Sequence, residues 1–90
     1  MSRKSTEPRD MAALYAEELR MELARRKLTD AWLVANMESR SRTYLKERLR
    51  GDRPFNIDDC DEIDELLGLS MEESLMLRAA ERARAERATT

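Results

Sequence analysis

An all-α fold is what this chain of 90 residues predicts, and three observations carry the prediction. Val34, Ile57 and Ile63 are its only Val or Ile residues, so the β-branched stretches that sheets draw on are missing. Two glycines and two prolines leave little turn material between strands. Apolar residues recur instead at intervals of three and four, the period of a helix with one buried side. At this length one small domain is expected, and with 40% charged residues and only Tyr15, Trp32, Tyr44 and Phe55 as aromatics, its core must be economical.

The first helix is expected to start near Thr6 to Pro8, since proline is tolerated in a first turn, and to run through "RDMAALYAEELRMELARRK". Met11, Leu14, Tyr15, Leu19 and Leu23 make its buried stripe. Thr29 restarts the pattern as N-cap of a short second helix, "DAWLVANM", with Leu33, Val34 and Met37 inward. Trp32 beside them reads as core, or as a half-exposed ring against another subunit. The third helix lies in "SRSRTYLKERLRGDRP", residues 39–54. Ser41 or Ser39 caps it, Leu45 and Leu49 anchor one side, and Gly51 supplies the left-handed residue beyond its end.

Asn56 caps a fourth helix, with Asp59 closing a capping box and Phe55 and Cys60 forming a hydrophobic staple. Ile57, Cys60, Ile63 and Leu67 are its expected inner stripe, Cys60 reading as a small core residue, and Gly68 ends it. Ser70 with Glu73 makes a second capping box, from which a fifth helix, "MEESLMLRAAERARAERA", follows and frays over Ala88, Thr89 and Thr90.

A net charge of −2 conceals a block structure. Residues 39–53 hold six Arg or Lys against two carboxylates, whereas residues 54–75 hold eight carboxylates and no cation. Such asymmetry suits a protein with one cationic binding face, because the local field at a contact matters more than the total charge.

Zero histidines and a lone cysteine remove most nucleophilic, general-base and transition-metal constellations, and no glycine-rich phosphate loop exists. The expectation is a protein that is not an enzyme and takes no cofactor, metal or small-molecule ligand. One cysteine forms no internal disulfide, and neither a leader pattern nor a membrane-spanning apolar run is present, so no membrane partner is expected and the reducing cytoplasm is the default location.

The stretch "LTDAWLVANMESRSRTYLKERLRGDRPFNIDDCDEIDELLGLS" resembles the lambda-repressor/Cro-like (XRE-type) helix-turn-helix family, in the form common among actinobacterial and phage regulators. The likeness rests on Leu33, Val34 and Met37, on Leu45, Leu49 and Gly51, on the "RPF" connection, and on Ile63, Leu67, Gly68, Leu69 and Ser70. It covers residues 10–72; the turn "MESRSR" lacks the family's usual glycine, and Asp30 stands where the family often has glutamine. The resemblance implies a compact five-helix fold, with an arm at 1–6, the helix-turn-helix DNA-binding domain over residues 7–69 and a C-terminal fifth helix at 70–90. It implies a sequence-specific transcription regulator, most simply a repressor of the phage-immunity or Cro type. Members of the family commonly bind near-palindromic double-stranded DNA as homodimers, in the bacterial nucleoid or a phage-infected host.

The chemistry of the third helix agrees. Arginine bonds guanine O6 and N7 bidentately in the major groove, and a threonine methyl touches that of thymine. Arg42, Thr43, Lys46 and Glu47 are the candidates for base edges, and Thr29, Arg40, Ser41, Arg48, Arg50 and Arg53 for phosphates. Arg25, Arg26 and Lys27, with Arg3 and Lys4, extend that footprint. On the fifth helix Met71, Leu75, Met76 and Ala79, with Ala80 and Ala83, offer a self-complementary dimer strip, or else cap the monomer against the first helix. The rival readings are an antitoxin that binds DNA and also offers its acidic or C-terminal helix to a toxin, and a helical interaction module that never touches DNA.

Overall fold

Each helix begins where a short polar side chain can accept from a free amide. The computed structural model describes residues 10–89, and among them it shows α1 at Met11–Arg25, α2 at Asp30–Asn36, α3 at Arg42–Leu49, α4 at Ile57–Leu67 and α5 at Leu75–Ala88, with no strand. Asp10, Thr29, Ser41, Asn56 and Ser74 are the respective caps. No helix among the described residues is long and apolar enough to cross a membrane.

Two helix starts differ from expectation. The Asp10 carboxylate accepts from the Ala13 amide at 2.9 Å, so α1 opens at Met11 rather than near Thr6 to Pro8, which lie outside the described residues together with Arg3, Lys4 and Thr90. The Ser70–Glu73 capping box exists, but it closes only a 3-10 turn at Met71–Glu73. Ser74 then turns extended and its hydroxyl accepts from the Leu77 amide at 3.1 Å, so the fifth helix starts afresh at Leu75.

Leu14, Leu19, Leu33, Met37, Leu45, Leu49, Ile63 and Leu75 are fully buried, and Tyr15 meets Phe55 edge to face at 5.5 Å between ring centres. Trp32 and Val34 pack half-buried against this cluster, and Cys60 is buried within it. Ile57 departs from its expected place in the core: it is 76% exposed. At 100° per residue it sits about 90° around α4 from the centre of the Cys60, Ile63 and Leu67 stripe, which is wide enough to put it in solvent.

The largest packing surface is between α1 and α5, where Leu75, Ala79 and Ala83 are buried. Leu75 and Ala79, named above as possible dimer contacts, are therefore core residues of the monomer, while Met71 and Met76 remain exposed. Small side chains at this seam let the helices approach, and ion pairs flank them. The buried Glu22 accepts from Arg78 Nη1 at 2.9 Å, from Arg26 Nε at 2.6 Å and from Arg25; the buried Glu18 accepts from Arg82 Nη1 at 3.0 Å, and Glu17 from the same guanidinium. Pairing is what makes burial of these carboxylates tolerable.

Helix α1 also holds the end of α3. Gly51 has φ +85°, and a Cβ there would lie 3.2 Å from the Ala13 Cα, so both handedness and space demand glycine. Arg20 donates to the Leu49 carbonyl, satisfying one of the free acceptors of the α3 terminus.

Candidate nucleic-acid interface

Helix α3 carries two kinds of cation. Its inward side is built around Tyr44. The hydroxyl of Tyr44 donates to Asp59 at the start of α4, and the Arg40 guanidinium, from the turn before α3, donates to the other oxygen of the same carboxylate at 2.7 Å. Asp59 is buried, and it also accepts from the Asn56 amide at 3.4 Å while its own amide donates to the Asn56 side chain at 2.7 Å. The expected capping box is thus present and does a second job: one carboxylate ties the turn, α3 and α4 together. The hydrogen bond to Asp59, with burial adding to it, pushes the Tyr44 phenol above its ordinary pKa.

Arg48 lies over the Tyr44 ring, its guanidinium carbon 3.5 Å from the ring centre, and donates to the Tyr44 carbonyl at 3.2 Å. Its side chain is only 16% exposed. Arg40 and Arg48, expected at phosphates, are consequently engaged in holding α3 in place. Arg25 and Arg26 are bonded to Glu22 rather than standing free as a backbone-contacting cluster. Lys27, next to them, is exposed and takes a left-handed φ of 61° at the end of α1.

The outward side is different. Arg42 and Thr43 are exposed in the first turn, and neither is engaged with another side chain among the described residues. Lys46 lies 3.7 Å from Asp30, Arg50 2.9 Å from Asp52, and Arg53 3.8 Å from Glu47. All three are solvent-exposed pairs, whose carboxylates a phosphate can replace at little cost. Glu47, a candidate for base edges, faces Arg53 and Arg48. Thr29 and Ser41 use their hydroxyls to cap α2 and α3, accepting from the Trp32 and Tyr44 amides at 3.1 Å. Between α2 and α3, Ala31, Val34 and Ala35 floor a shallow notch walled by Arg42 and Lys46.

Tyr44, Asp59 and Arg20 are the positioning residues that sequence reasoning did not assign to this site. The four-residue spacing of Tyr44 and Arg48 was the one local signal of their stacking. Cys60 lies on the buried side of α4 with its thiol pushed up by burial, which leaves it a poor nucleophile. Among the described residues no group of three His, Cys, Asp or Glu side chains is placed to hold a metal ion. Comparison of the chain with family models, with curated proteins and with solved structures gives no match, so what this face does rests on its chemistry.

Proposed function

We propose that the chain is a non-catalytic, sequence-specific binder of double-stranded DNA, with α2 and α3 acting as a helix-turn-helix of lambda-repressor type and α3 as the recognition helix. The observation that carries this reading is the division of labour on α3. Arg40 just before it and Arg48 on its inward side are fixed by Asp59 and Tyr44, while Arg42 and Thr43, unengaged among the described residues, project from its first turn, where a helix entering the major groove meets base edges. Lys46 and Glu47 lie one turn further on; Arg50 and Arg53 at the far end supply phosphate contacts, as do Thr29 and Ser41 at the starts of α2 and α3. The alanine and valine notch next to Arg42 offers apolar contact to a thymine methyl.

One such helix reads few base pairs, so two copies on a near-palindromic operator are needed for discrimination. With Leu75 and Ala79 inside the monomer, this pairing is assembled by the two half-sites of the DNA rather than by an α5 strip. The simplest consequence of occupancy is repression by occlusion of a promoter, as in phage-immunity or Cro-type regulators.

Selection of bound duplexes from a randomised pool at physiological salt, followed by sequencing, tests the proposal. An enriched inverted repeat, bound with an affinity that falls steeply with salt, is the expected outcome. No enrichment and no retention at low salt would sink it.

A further inference from the structure

We propose a second interaction surface: the groove between α4 and the start of α5 is a docking site for a Lys/Arg-rich amphipathic segment of another protein. Its apolar part consists of Ile57, Met71 and Met76, which are 76%, 91% and 37% exposed although a chain this economical in large apolar residues buries most of the others. Asp61 and Asp64 stand in the same groove, and both continue with Met71 into an adjoining depression lined by Glu65, Leu69 and Ser70. No Arg or Lys occurs between Arg53 and Arg78, and Arg78 itself is bonded to Glu22. The groove therefore combines apolar contact area with a carboxylate rim: Asp64 accepts from the Leu75 amide at 3.4 Å, and neither Asp61 nor Asp64 is held in an ion pair among the described residues.

Charge decides the occupant. DNA is excluded from this surface by repulsion, and a second copy pairing through the same groove would set one carboxylate rim against another, a juxtaposition that disfavours association. What fits is a segment presenting apolar side chains at helical spacing for Ile57, Met71 and Met76, flanked by cations for Asp61 and Asp64. Methionines suit such a role because their flexible, polarisable side chains adapt to the shape of a partner. None of these residues belongs to α3, so this inference stands or falls separately from DNA recognition.

The test uses the full chain and a short synthetic peptide with Leu at intervals of three and four and Lys at the positions between, with its Glu-for-Lys counterpart as control. In amide proton–nitrogen NMR spectra the Leu/Lys peptide is expected to shift signals from residues 57–64 and 70–77, and the control to shift none. Ile57→Ser combined with Met71→Ser, both exposed and so without consequence for folding, is expected to weaken peptide binding about tenfold while leaving DNA binding and thermal melting unchanged. Equal binding by parent and double variant would show that charge alone attracts the peptide and overturn the proposal. So would shifts scattered over every acidic segment, or groove shifts that appear on concentrating the chain without peptide, which would give the surface to a second copy.

Discussion

The seam between α1 and α5 and the outer face of α3 are both rich in arginine, yet they use it in opposite ways. At the seam, Arg78 and Arg82 reach carboxylates that are themselves buried, and Glu22 gathers three guanidinium groups around a side chain that solvent barely touches. On α3 and just beyond it, the carboxylates near Lys46, Arg50 and Arg53 are all open to water, and Arg42 has none among the described residues. The contrast teaches that an arginine's task is set by the burial of what faces it. A buried acceptor makes the pair part of the fold, because losing its cations strands a buried charge. An exposed acceptor leaves the cation exchangeable for a phosphate. Arg40 shows the intermediate case: it sits at the edge of the proposed interface but bonds the buried Asp59, and so behaves like a seam residue.

The largest expected effect strikes the seam. Glu22→Ala removes the buried acceptor that Arg78, Arg26 and Arg25 share and should cost about 3 kcal/mol, a fall in Tm of more than about 10 °C by circular dichroism. A shift of only a degree or two would erase the distinction drawn here. Next comes acidity. Burial on its own raises the pKa of Glu22, but the hydrogen bonds from Arg78, Arg26 and Arg25 together outweigh it and bring the value down from an ordinary 4.5 to about 2. A carboxylate lowered by folding contributes stability that is complete above the unfolded value and lost as pH falls through the folded one. Denaturant melts between pH 5 and pH 2 should thus lose about 3 kcal/mol through this group, and Glu22→Gln should flatten that part of the profile.

Smaller effects belong to the α3 face and should leave melting untouched. Arg42→Ala is expected to cost about 1.5 kcal/mol on the selected operator and to relax preference at one base pair, read by competition binding with single-base variants. If affinity and preference both survived, the first turn of α3 would not be the reading edge. Arg53→Ala should cost about 0.5 kcal/mol on every sequence and lower the salt slope by about one, as a phosphate contact does. A loss confined to one sequence would move Arg53 to a base edge.

Much of the fold was legible because capping is local. Thr29, Ser41 and Asn56 each needed only the amides two or three residues on, and the left-handed residues at Gly51 and Gly68 needed only their own backbone. The same locality produced the error at α5. Ser70 with Glu73 satisfied the capping pattern, and nothing nearby distinguished a single 3-10 turn, recapped by Ser74, from the opening of a long helix. The site was legible as a charge block but not as an arrangement. Whether Arg40 and Arg48 face outward depends on Asp59, which arrives from 19 residues further along the chain, and the fate of Leu75 and Ala79 depends on α1 at the other end of the sequence. Ile57 was misplaced for a different reason: four apolar residues at plausible intervals define a helix face only to within a quarter turn, and the residue at its margin is decided by what packs opposite.

The tie between α1 and α3 has a consequence for heat sensitivity. Helix α3 is eight residues long, too short to persist in water by itself, and Arg20 and the Gly51 approach fasten its end to α1. Helix α1 is in turn fastened by α5. The proposed recognition helix therefore survives only as long as a seam remote from it, and conservative weakening of that seam yields proteins that work when cool and fail a few degrees higher: conditional alleles, scattered along α1 and α5, in a chain whose proposed DNA-contacting residues are all intact.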